Sequence, residues 1–332
     1  MKNKIFTILI LALGTQLALF IGGQVPLLGS SISAILLGAM IRHTPLFELL
    51  DKAVTKFVSS YLLKTGIVLL GFTLSLRVVK DVGSNVLVII LAVISVSILT
   101  SFVANRLLKV DNKLALLIGI GTAICGGSAI AATAPILEAE DEDIAVSITT
   151  MFIFSMLALL ILPSVGILFN FSHQSYGILA GVAVNDTASV VATAFDWHLE
   201  AGNIATIVKL VRTLFIVPMT IGLIYFRFSQ NTKANQTGEV KIDWKQIKKV
   251  FPMFVVFFVV AVMIASIFTL PVPLTSTLSK ISKLCMTVAL ITIGLGVHYK
   301  QIQKAGIKPV ILGAACWTAV VMVSLVLIQV MY

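Results

Sequence analysis

Asn185 and Asp186 are polar residues at the centre of an apolar run that extends from residue 176 to residue 195. A carboxylate within a membrane-length segment is costly unless it faces a cavity or a partner charge. Thr187 and Ser189 follow, neither of which favours a continuous helix. A helix interrupted in lipid needs protein or water to bond its freed backbone groups. This combination predicts a ligand site that includes Asn185, Thr187 and Ser189, in which Asp186 couples ligand binding to an ion.

An upstream segment, residues 121–134, resembles residues 181–194 when the two are aligned without a gap. Two interrupted apolar segments in corresponding positions are a pointer to the binding site of a transporter. Close packing of helices through small residues would explain the Gly and Ala content of both segments, but not the Asn-Asp pair. The insert that lies over residues 185–188 therefore joins the predicted substrate site: Cys125, Gly126, Gly127 and Ser128.

Two cations follow the Asn-Asp segment. Lys209 and Arg212 are three residues apart and therefore lie on one face of a helix. Interrupted helices present free N–H groups at their amino ends, which favour anions, and Arg binds tetrahedral oxyanions bidentately. We predict that both cations contact an anionic substrate. Two alternatives stay open: an ion pair of Lys209 with Asp186, which protonation would release, or extension of these side chains to the membrane interface.

Composition defines the fold class. The chain has 332 residues, of which 58% are hydrophobic and 11% are charged, with a mean hydropathy of +1.07. Repeated apolar runs predict an all-α polytopic membrane protein, one integral domain over residues 1–332. Residues 42–60 are predicted to form an interfacial amphipathic helix, and residues 227–249 a cytoplasmic loop. About eleven transmembrane helices are predicted: 5–21, 28–41, 61–79, 85–107, 114–137, 144–169, 176–195, 204–226, 250–270, 284–298 and 310–330.

The distribution of basic residues predicts the orientation. With eleven spans, seventeen Lys and Arg residues fall on one side and four on the other, so the amino terminus is predicted to be cytoplasmic and the carboxyl terminus outside. The acidic segment 138–143 then lies outside. The net charge of +10 reflects this bias, and no nucleic-acid partner is expected.

Internal similarity also suggests an inverted repeat. Residues 69–83 resemble residues 291–306, and their spans have opposite orientations. The fifth and seventh spans, however, run parallel in this count. Either these two segments cross only half of the membrane, or their similarity is one of composition alone.

Enzyme motifs are absent from the sequence: no H-E-x-x-H, G-x-S-x-G, Walker or C-x-x-C pattern occurs. We expect no enzymatic activity, no cofactor and no metal site. The only candidate for catalysis is a nucleophile–base pair of Cys125 or Ser128 with Asp186, and it matches none of these motifs.

The two stretches 121–132 and 180–192, with their Cys-Gly-Gly-Ser and Asn-Asp-Thr-Ala centres, resemble the YeiH-like sulfate exporter family of bacterial membrane proteins. The resemblance extends over most of the chain. It implies a distant relationship to cation/proton antiporters and bile-acid symporters. From that relationship we expect an inverted-repeat transporter with a panel domain and a core domain, in which two discontinuous helices cross near the middle of the membrane.

The function expected is therefore secondary active transport of a small anion, sulfate or sulfonate-like, across the bacterial inner membrane, coupled to H⁺ or Na⁺. The expected partners are that anion, the coupling ion, the lipid bilayer and, as a homodimer, a second copy of the chain. The first alternative is a cation/proton antiporter in which Asp186 binds the ion and Lys209 competes with it. Alternatives of another class are a passive channel and an intramembrane enzyme.

Overall fold

The computed structural model describes residues 2–24, 29–233, 253–268, 270–296 and 306–332, and within these ranges all regular secondary structure is helical. The first half contains α1 (Lys2–Gln24), α2 (Gly29–Arg42), α3 (Leu46–Leu49), α4 (Lys52–Phe57), a π-helical turn (Val58–Leu62), α5 (Leu63–Gly71), α6 (Leu76–Asn85) and α7 (Leu87–Leu108). The chain continues with α8 (Asn112–Ala123), α9 (Gly127–Leu137), α10 (Asp141–Leu168), α11 (His173–Ala183), α12 (Thr187–Trp197), α13 (Leu199–Leu214) and α14 (Ile216–Lys233). The last helices are α15 (Met253–Ile267), α16 (Val272–Gly294) and α17 (Ile307–Met331).

Seven helices in the described ranges are long and apolar enough to cross a membrane. They include α1, α7, α10, α16 and α17, together with two composite helices, 52–71 and 199–225. The predicted class, a helical polytopic membrane protein, is confirmed. The count of eleven crossings is not, because the fifth and seventh predicted spans have a different shape.

The fifth predicted span is a helical hairpin, residues 112–137, here called hairpin 1. Its ends are adjacent, because Lys113 Nζ donates a hydrogen bond to the carbonyl oxygen of Glu138 at 2.8 Å. Gly126 makes the turn with φ +65°, a backbone conformation that costs little only for glycine. Its N–H donates a hydrogen bond to the carbonyl oxygen of Gly121 at 2.8 Å. The segment therefore returns to the side from which it came.

The seventh predicted span is a second hairpin, residues 173–197, here called hairpin 2. Its two ends also meet: the rings of His173 and His198 stack with centroids 3.8 Å apart, and those of Tyr176 and Trp197 with centroids 4.1 Å apart. The tip is extended backbone, and Asp186 caps the returning helix α12. Hairpin 2 therefore also returns to the side from which it starts.

The two hairpins approach each other from opposite ends of α10. This helix has 28 residues, which at about 1.5 Å per residue gives a length of about 42 Å. The arms of each hairpin have only 11 or 12 residues, about 17 Å, or roughly half of the hydrocarbon thickness. Both tips contact the middle of α10: Thr122 Oγ1 donates to Met151 Sδ at 3.2 Å, and the N–H of Asp186 donates to Ser155 Oγ at 3.3 Å. Each hairpin therefore extends over about half the length of α10, as the half-spanning alternative for the two parallel segments predicts.

Three other predicted boundaries change. The acidic segment 138–143 lies beside Lys113, at the end of α10 where hairpin 1 begins, and not across the molecule from it. Part of the predicted interfacial segment, from Lys52 onward, is continuous with the 20-residue apolar helix 52–71. The predicted span 61–79 ends at Gly71, and a separate helix α6 follows it. Two predicted segments lie partly outside the described residues. They are most of the loop 227–249, and residues 297–305 of the repeat-like segment 291–306.

The helices pack as two groups. One contains α1, α2, α5, α15 and α16, and the other contains α7, both hairpins, α10, α13 and α17. In the first group α2 and α16 cross at Gly38 and Gly294, where a Cβ on Gly38 would lie 2.1 Å from the carbonyl oxygen of Ile291, so only glycine permits this approach. The groups meet mainly where α12 packs on α2 and α16.

Candidate functional site at the hairpin tips

A cavity of about 340 Å³ lies where the two hairpin tips meet the first group of helices. Residues 125–128 of hairpin 1 and 185–188 of hairpin 2 form one wall. The opposite walls come from α5, α10, α13, α15 and α16, through Leu63, Lys64, Ile67, Ile148, Met151, Phe152, Ser155, Thr213, Phe254 and Ile293. We call this space the tip cavity.

The amino ends of α9 and α12 both open on the tip cavity, since Gly127 and Thr187 are their first residues and line it. The first N–H groups of a helix have no acceptor within the helix, and the partial positive charge there favours anions. Asp186 Oδ1 accepts the N–H of Ser189 at 2.9 Å, which leaves the N–H groups of Thr187 and Ala188 without an intrahelical acceptor. Two such ends in one cavity provide backbone donors for an anion.

Asn185 and Asp186 supply the side-chain chemistry of the tip cavity. Asn185 is 0% exposed, and neither its Nδ2 nor its Oδ1 has a hydrogen-bond partner among the described residues. The same holds for Asp186 Oδ2 and Ser189 Oγ. Unpartnered buried polar atoms are rare and costly in native proteins, so each needs an explanation. A ligand or ion in the tip cavity would supply the partners of Asn185 and Asp186.

Lys209 and Arg212 lie on the other side of the tips. Both are 0% exposed, and neither belongs to the wall of the tip cavity. Arg212 Nε donates to the carbonyl of Ala123 at 2.8 Å, and its two terminal nitrogens donate to the carbonyls of Thr122 and Val182. A helix leaves its last carbonyls without intrahelical donors, and Arg212 bonds such carbonyls on α8 and α11 together.

Lys209 and Trp317 complete this arrangement. Lys209 Nζ donates to the carbonyls of Ile124 at 3.1 Å and Val184 at 2.8 Å, and Trp317 Nε1 donates to that of Ala183 at 2.9 Å. Three consecutive carbonyls of each hairpin, 122–124 and 182–184, are therefore bonded by side chains of α13 and α17. We call Lys209, Arg212 and Trp317 the carbonyl clamp.

The clamp corrects the expected role of the two cations. Arg212 has all three guanidinium nitrogens bonded to carbonyls, and Lys209 bonds carbonyls and forms no ion pair with Asp186 among the described residues. A cation at the carboxyl end of a helix is favourable because it faces the negative end of the helix dipole. Their position within the protein also excludes extension to the membrane interface. Lys209 and Arg212 bond both tips on the side away from the tip cavity.

The remaining predicted residues are brought together. Cys125, Gly126, Gly127, Ser128, Asn185, Asp186 and Thr187 line the tip cavity, whereas Ser189 is buried behind Asp186. Sequence reasoning missed Lys64 and Ser155, which also line the cavity. In the sequence, Lys64 is a charged residue in an apolar segment and Ser155 is a hydroxyl residue in the middle of another, so each is a weak indication of a site. The sequence gives no indication of the role of Trp317, because residue 183, whose carbonyl it bonds, is far away in the chain.

Two helical hairpins that meet at mid-length of a long apolar helix, over a cavity with unpartnered polar groups, define a multi-pass membrane protein with a central, transporter-like site. The chain belongs to the family described as "Conserved hypothetical protein 698", whose model matches residues 5–313. The relatives described here are bacterial. It is 41% identical over 316 residues to a UPF0324 membrane protein of Streptococcus mutans, covering 93% of this chain and 92% of the relative.

Two further relatives carry the same family name. A UPF0324 membrane protein of Fusobacterium nucleatum is 35% identical over 345 residues, covering 98% of this chain and 97% of the relative. One from Streptococcus agalactiae is 39% identical over 313 residues, covering 92% and 91%. No solved structure matches the chain.

Proposed function

We propose that the protein is a secondary active transporter of a small anion, sulfate or sulfonate-like, in the bacterial cell membrane. One observation carries the proposal: the amino ends of two opposed half-length helices open on one cavity beside the buried, unpartnered amide of Asn185. Backbone N–H groups and the amide Nδ2 are donors to an oxyanion, and the helix dipoles add positive potential. The sulfate exporter resemblance agrees with this substrate class.

Asp186 is the proposed coupling group. Its Oδ1 is held by the N–H of Ser189 at 2.9 Å, while Oδ2 is buried and has no hydrogen-bond partner among the described residues. That oxygen is available to H⁺ or Na⁺. Neutralising the carboxylate removes a negative charge next to the helix amino ends, so ion and anion would bind together.

The position of the tip cavity supports alternating access. It lies between the hairpin group and α5, α15 and α16, so a displacement of one group relative to the other would move the cavity wall that carries the tips. The carbonyl clamp would keep the two tips together during such a movement, because its side chains bond both. The panel and core domains of the expected inverted repeat would be these two groups.

The orientation proposed from the basic residues is compatible with two hairpins. Replacing two crossings by two hairpins changes the side of residues 138–143 and 169–173 only, and neither segment contains Lys or Arg. The excess of basic residues on one side is therefore unchanged, and we place the amino terminus in the cytoplasm and the carboxyl terminus outside.

The cation/proton antiporter is the second candidate, and the buried Oδ2 of Asp186 favours it. In that scheme Lys209 competes with the cation for Asp186, yet Lys209 donates to the carbonyls of Ile124 and Val184 instead. The convergence of two helix amino ends is also unfavourable for a cation that binds without an accompanying anion. We therefore prefer the anion transporter, with no enzymatic role.

Transport into proteoliposomes tests the proposal. Purified protein should take up labelled sulfate or methanesulfonate only when a pH or Na⁺ gradient is imposed, and the unlabelled anion should exchange with it. Uptake of Na⁺ or Li⁺ against protons without any anion would favour the antiporter, and flux that ignores both gradients would indicate a channel.

A further inference from the structure

The tip cavity is chemically divided. Its polar end contains the hairpin tips, with the Asn185 amide, the Asp186 carboxylate and the amino ends of α9 and α12. The rest of its wall is mainly apolar, and its polar residues are Lys64, Ser155 and Thr213. The apolar surface consists of aliphatic and aromatic side chains from four helices: Leu63, Ile67, Ile148, Phe152, Phe254 and Ile293.

The volume exceeds what a sulfate ion fills. The tip cavity has a volume of about 340 Å³. It falls within the range of about 300–1,000 Å³ that is typical of sites for organic ligands. Sulfate has only five non-hydrogen atoms and carries charge on every side, so it would leave the apolar wall in contact with water or with charge. Both arrangements are unfavourable.

We infer that the ligand of the tip cavity is an amphiphilic organic anion, a sulfonate or carboxylate head group with an apolar body. This inference rests on the proposed function and narrows its substrate class. The head group accepts hydrogen bonds from Asn185 Nδ2 and from the N–H groups at the hairpin tips. The body lies against Phe152, Phe254 and Ile293. Binding thereby pairs the buried Asn185 amide and covers the apolar wall in one step.

Affinity should then depend on the length of the apolar body. Burial of one methylene contributes about 0.8 kcal/mol, which is about a fourfold gain in affinity. Methanesulfonate, butanesulfonate, hexanesulfonate and benzenesulfonate share one head group and differ in the body. Their binding to the full-length protein in lipid nanodiscs is measured by calorimetry, with inorganic sulfate and hexyltrimethylammonium as charge controls.

Paired variants locate the binding. Asn185→Ala removes no internal hydrogen bond among the described residues and should abolish binding of every sulfonate. Phe254→Ala should weaken hexanesulfonate by more than about tenfold while leaving methanesulfonate within about twofold. Its control is Phe257→Ala on the same helix, 57% exposed and outside the cavity, which should change neither. Ile293→Ala is a second variant in case Phe254→Ala does not fold.

The outcomes separate this inference from the proposed function. Sulfate that binds more tightly than every sulfonate, with no effect of Phe254→Ala, would overturn the amphiphilic ligand and keep the anion transporter. Binding of hexyltrimethylammonium but of no anion, or binding of none of these probes, would overturn both. Tail-dependent binding that survives both Asn185→Ala and Phe254→Ala would be partition into lipid, and the inference would fail.

Discussion

At the scale of single residues, the tip cavity separates two kinds of polar group. Asn185 and Asp186 retain free hydrogen-bonding capacity and line the space. Lys209 and Arg212 are as deeply buried, but their donors are occupied by backbone carbonyls. A buried group with satisfied partners stabilises the fold, whereas one without partners is available to a ligand. This distinction places groups with free hydrogen-bonding capacity at the tip cavity, and gives Lys209 and Arg212 bonds that hold the hairpin tips.

Asp186→Asn tests the coupling role. The amide oxygen can still accept the N–H of Ser189, because Asn is as good an amino-end cap as Asp, so the thermal unfolding temperature should change little. The variant cannot exchange a proton, and gradient-driven anion uptake should fall by at least about tenfold. Uptake is measured in proteoliposomes at two pH values.

The control for that experiment is Asp196→Asn. Asp196 is a carboxylate on the same helix, but it bonds the N–H groups of Ser31 and Ile32 and lies outside the tip cavity. Its replacement should leave the dependence on the gradient intact. Undiminished coupling in Asp186→Asn would remove Asp186 from the mechanism.

Arg212→Ala tests the carbonyl clamp. It leaves the carbonyls of Thr122, Ala123 and Val182 without their donor, and each unsatisfied buried group costs about 1–3 kcal/mol. We expect a loss of about 3 kcal/mol or more in stability, measured by denaturant unfolding in detergent. Arg212→Lys should recover part of it, since one ammonium replaces only part of the guanidinium fork.

Arg77→Ala is the matched control, because the side chain of Arg77 is 91% exposed and should contribute within about 0.5 kcal/mol. A folded, equally stable Arg212→Ala that has lost anion binding would return Arg212 to the substrate site.

At the scale of elements, each hairpin depends on how its tip reverses the chain. Hairpin 1 turns at Gly126, with φ +65° and ψ −123°, whereas hairpin 2 turns through extended residues followed by the Asp186 cap. Both solutions end one helix and begin the next within three residues, which brings one carboxyl end and one amino end to each tip. The carboxyl ends face the clamp and the amino ends face the tip cavity.

Two adjacent glycines offer a test of the turn of hairpin 1. Gly126→Ala places a side chain in a backbone conformation that costs about 1–3 kcal/mol for non-glycine residues, and should lower the unfolding temperature and the rate of uptake. Gly127→Ala lies at the start of α9, where a Cβ would meet nothing within 4 Å, and should be neutral or slightly stabilising. Thermal unfolding of the two variants side by side gives the answer. Equal stability of the two would mean that the turn is not held at Gly126.

At the scale of the whole molecule, the hairpins place both tips at mid-length of α10 while their open ends lie at opposite ends of this helix. Each hairpin hides its polar tip from lipid behind α10, α13 and the other hairpin. Irregular backbone is tolerated at such depth only where it is buried in protein or lines a cavity. The same arrangement gives the tip cavity a central position.

Single cysteines test the re-entrant topology, introduced after Cys125, Cys285 and Cys316 are replaced by Ala. With two hairpins, Arg106→Cys and Glu140→Cys should react with a membrane-impermeant maleimide from one side. Gln174→Cys and Glu200→Cys should react from the other. All four original residues are exposed. Labelling is compared in right-side-out and inverted vesicles. If Arg106→Cys and Glu140→Cys react from opposite sides, hairpin 1 crosses the membrane after all.

The sequence alone determined the membrane class and the position of both interruptions. Hydropathy depends only on the local sequence. The preference for glycine at the positive φ of residue 126 and for a capping side chain such as Asp186 at the start of a helix is also local. The gap-free correspondence of residues 121–134 with 181–194 also holds in the structure: α8 ends at Ala123 and α11 at Ala183, and the next helices begin at Gly127 and Thr187.

Only the tertiary structure decided whether each interrupted segment crosses or returns, and which polar groups remain free for a ligand. An apolar segment of 25 residues has the same hydropathy in both shapes. The choice depends on contacts between its distant ends, such as Lys113 with Glu138 and His173 with His198. The role of Arg212 likewise depends on carbonyls that are 30 and 90 residues away in the chain. Charge and helical spacing predicted an anion site for Arg212. The helix-end carbonyls that accept the hydrogen bonds of Arg212 reach this side chain only when both hairpins have folded around α13.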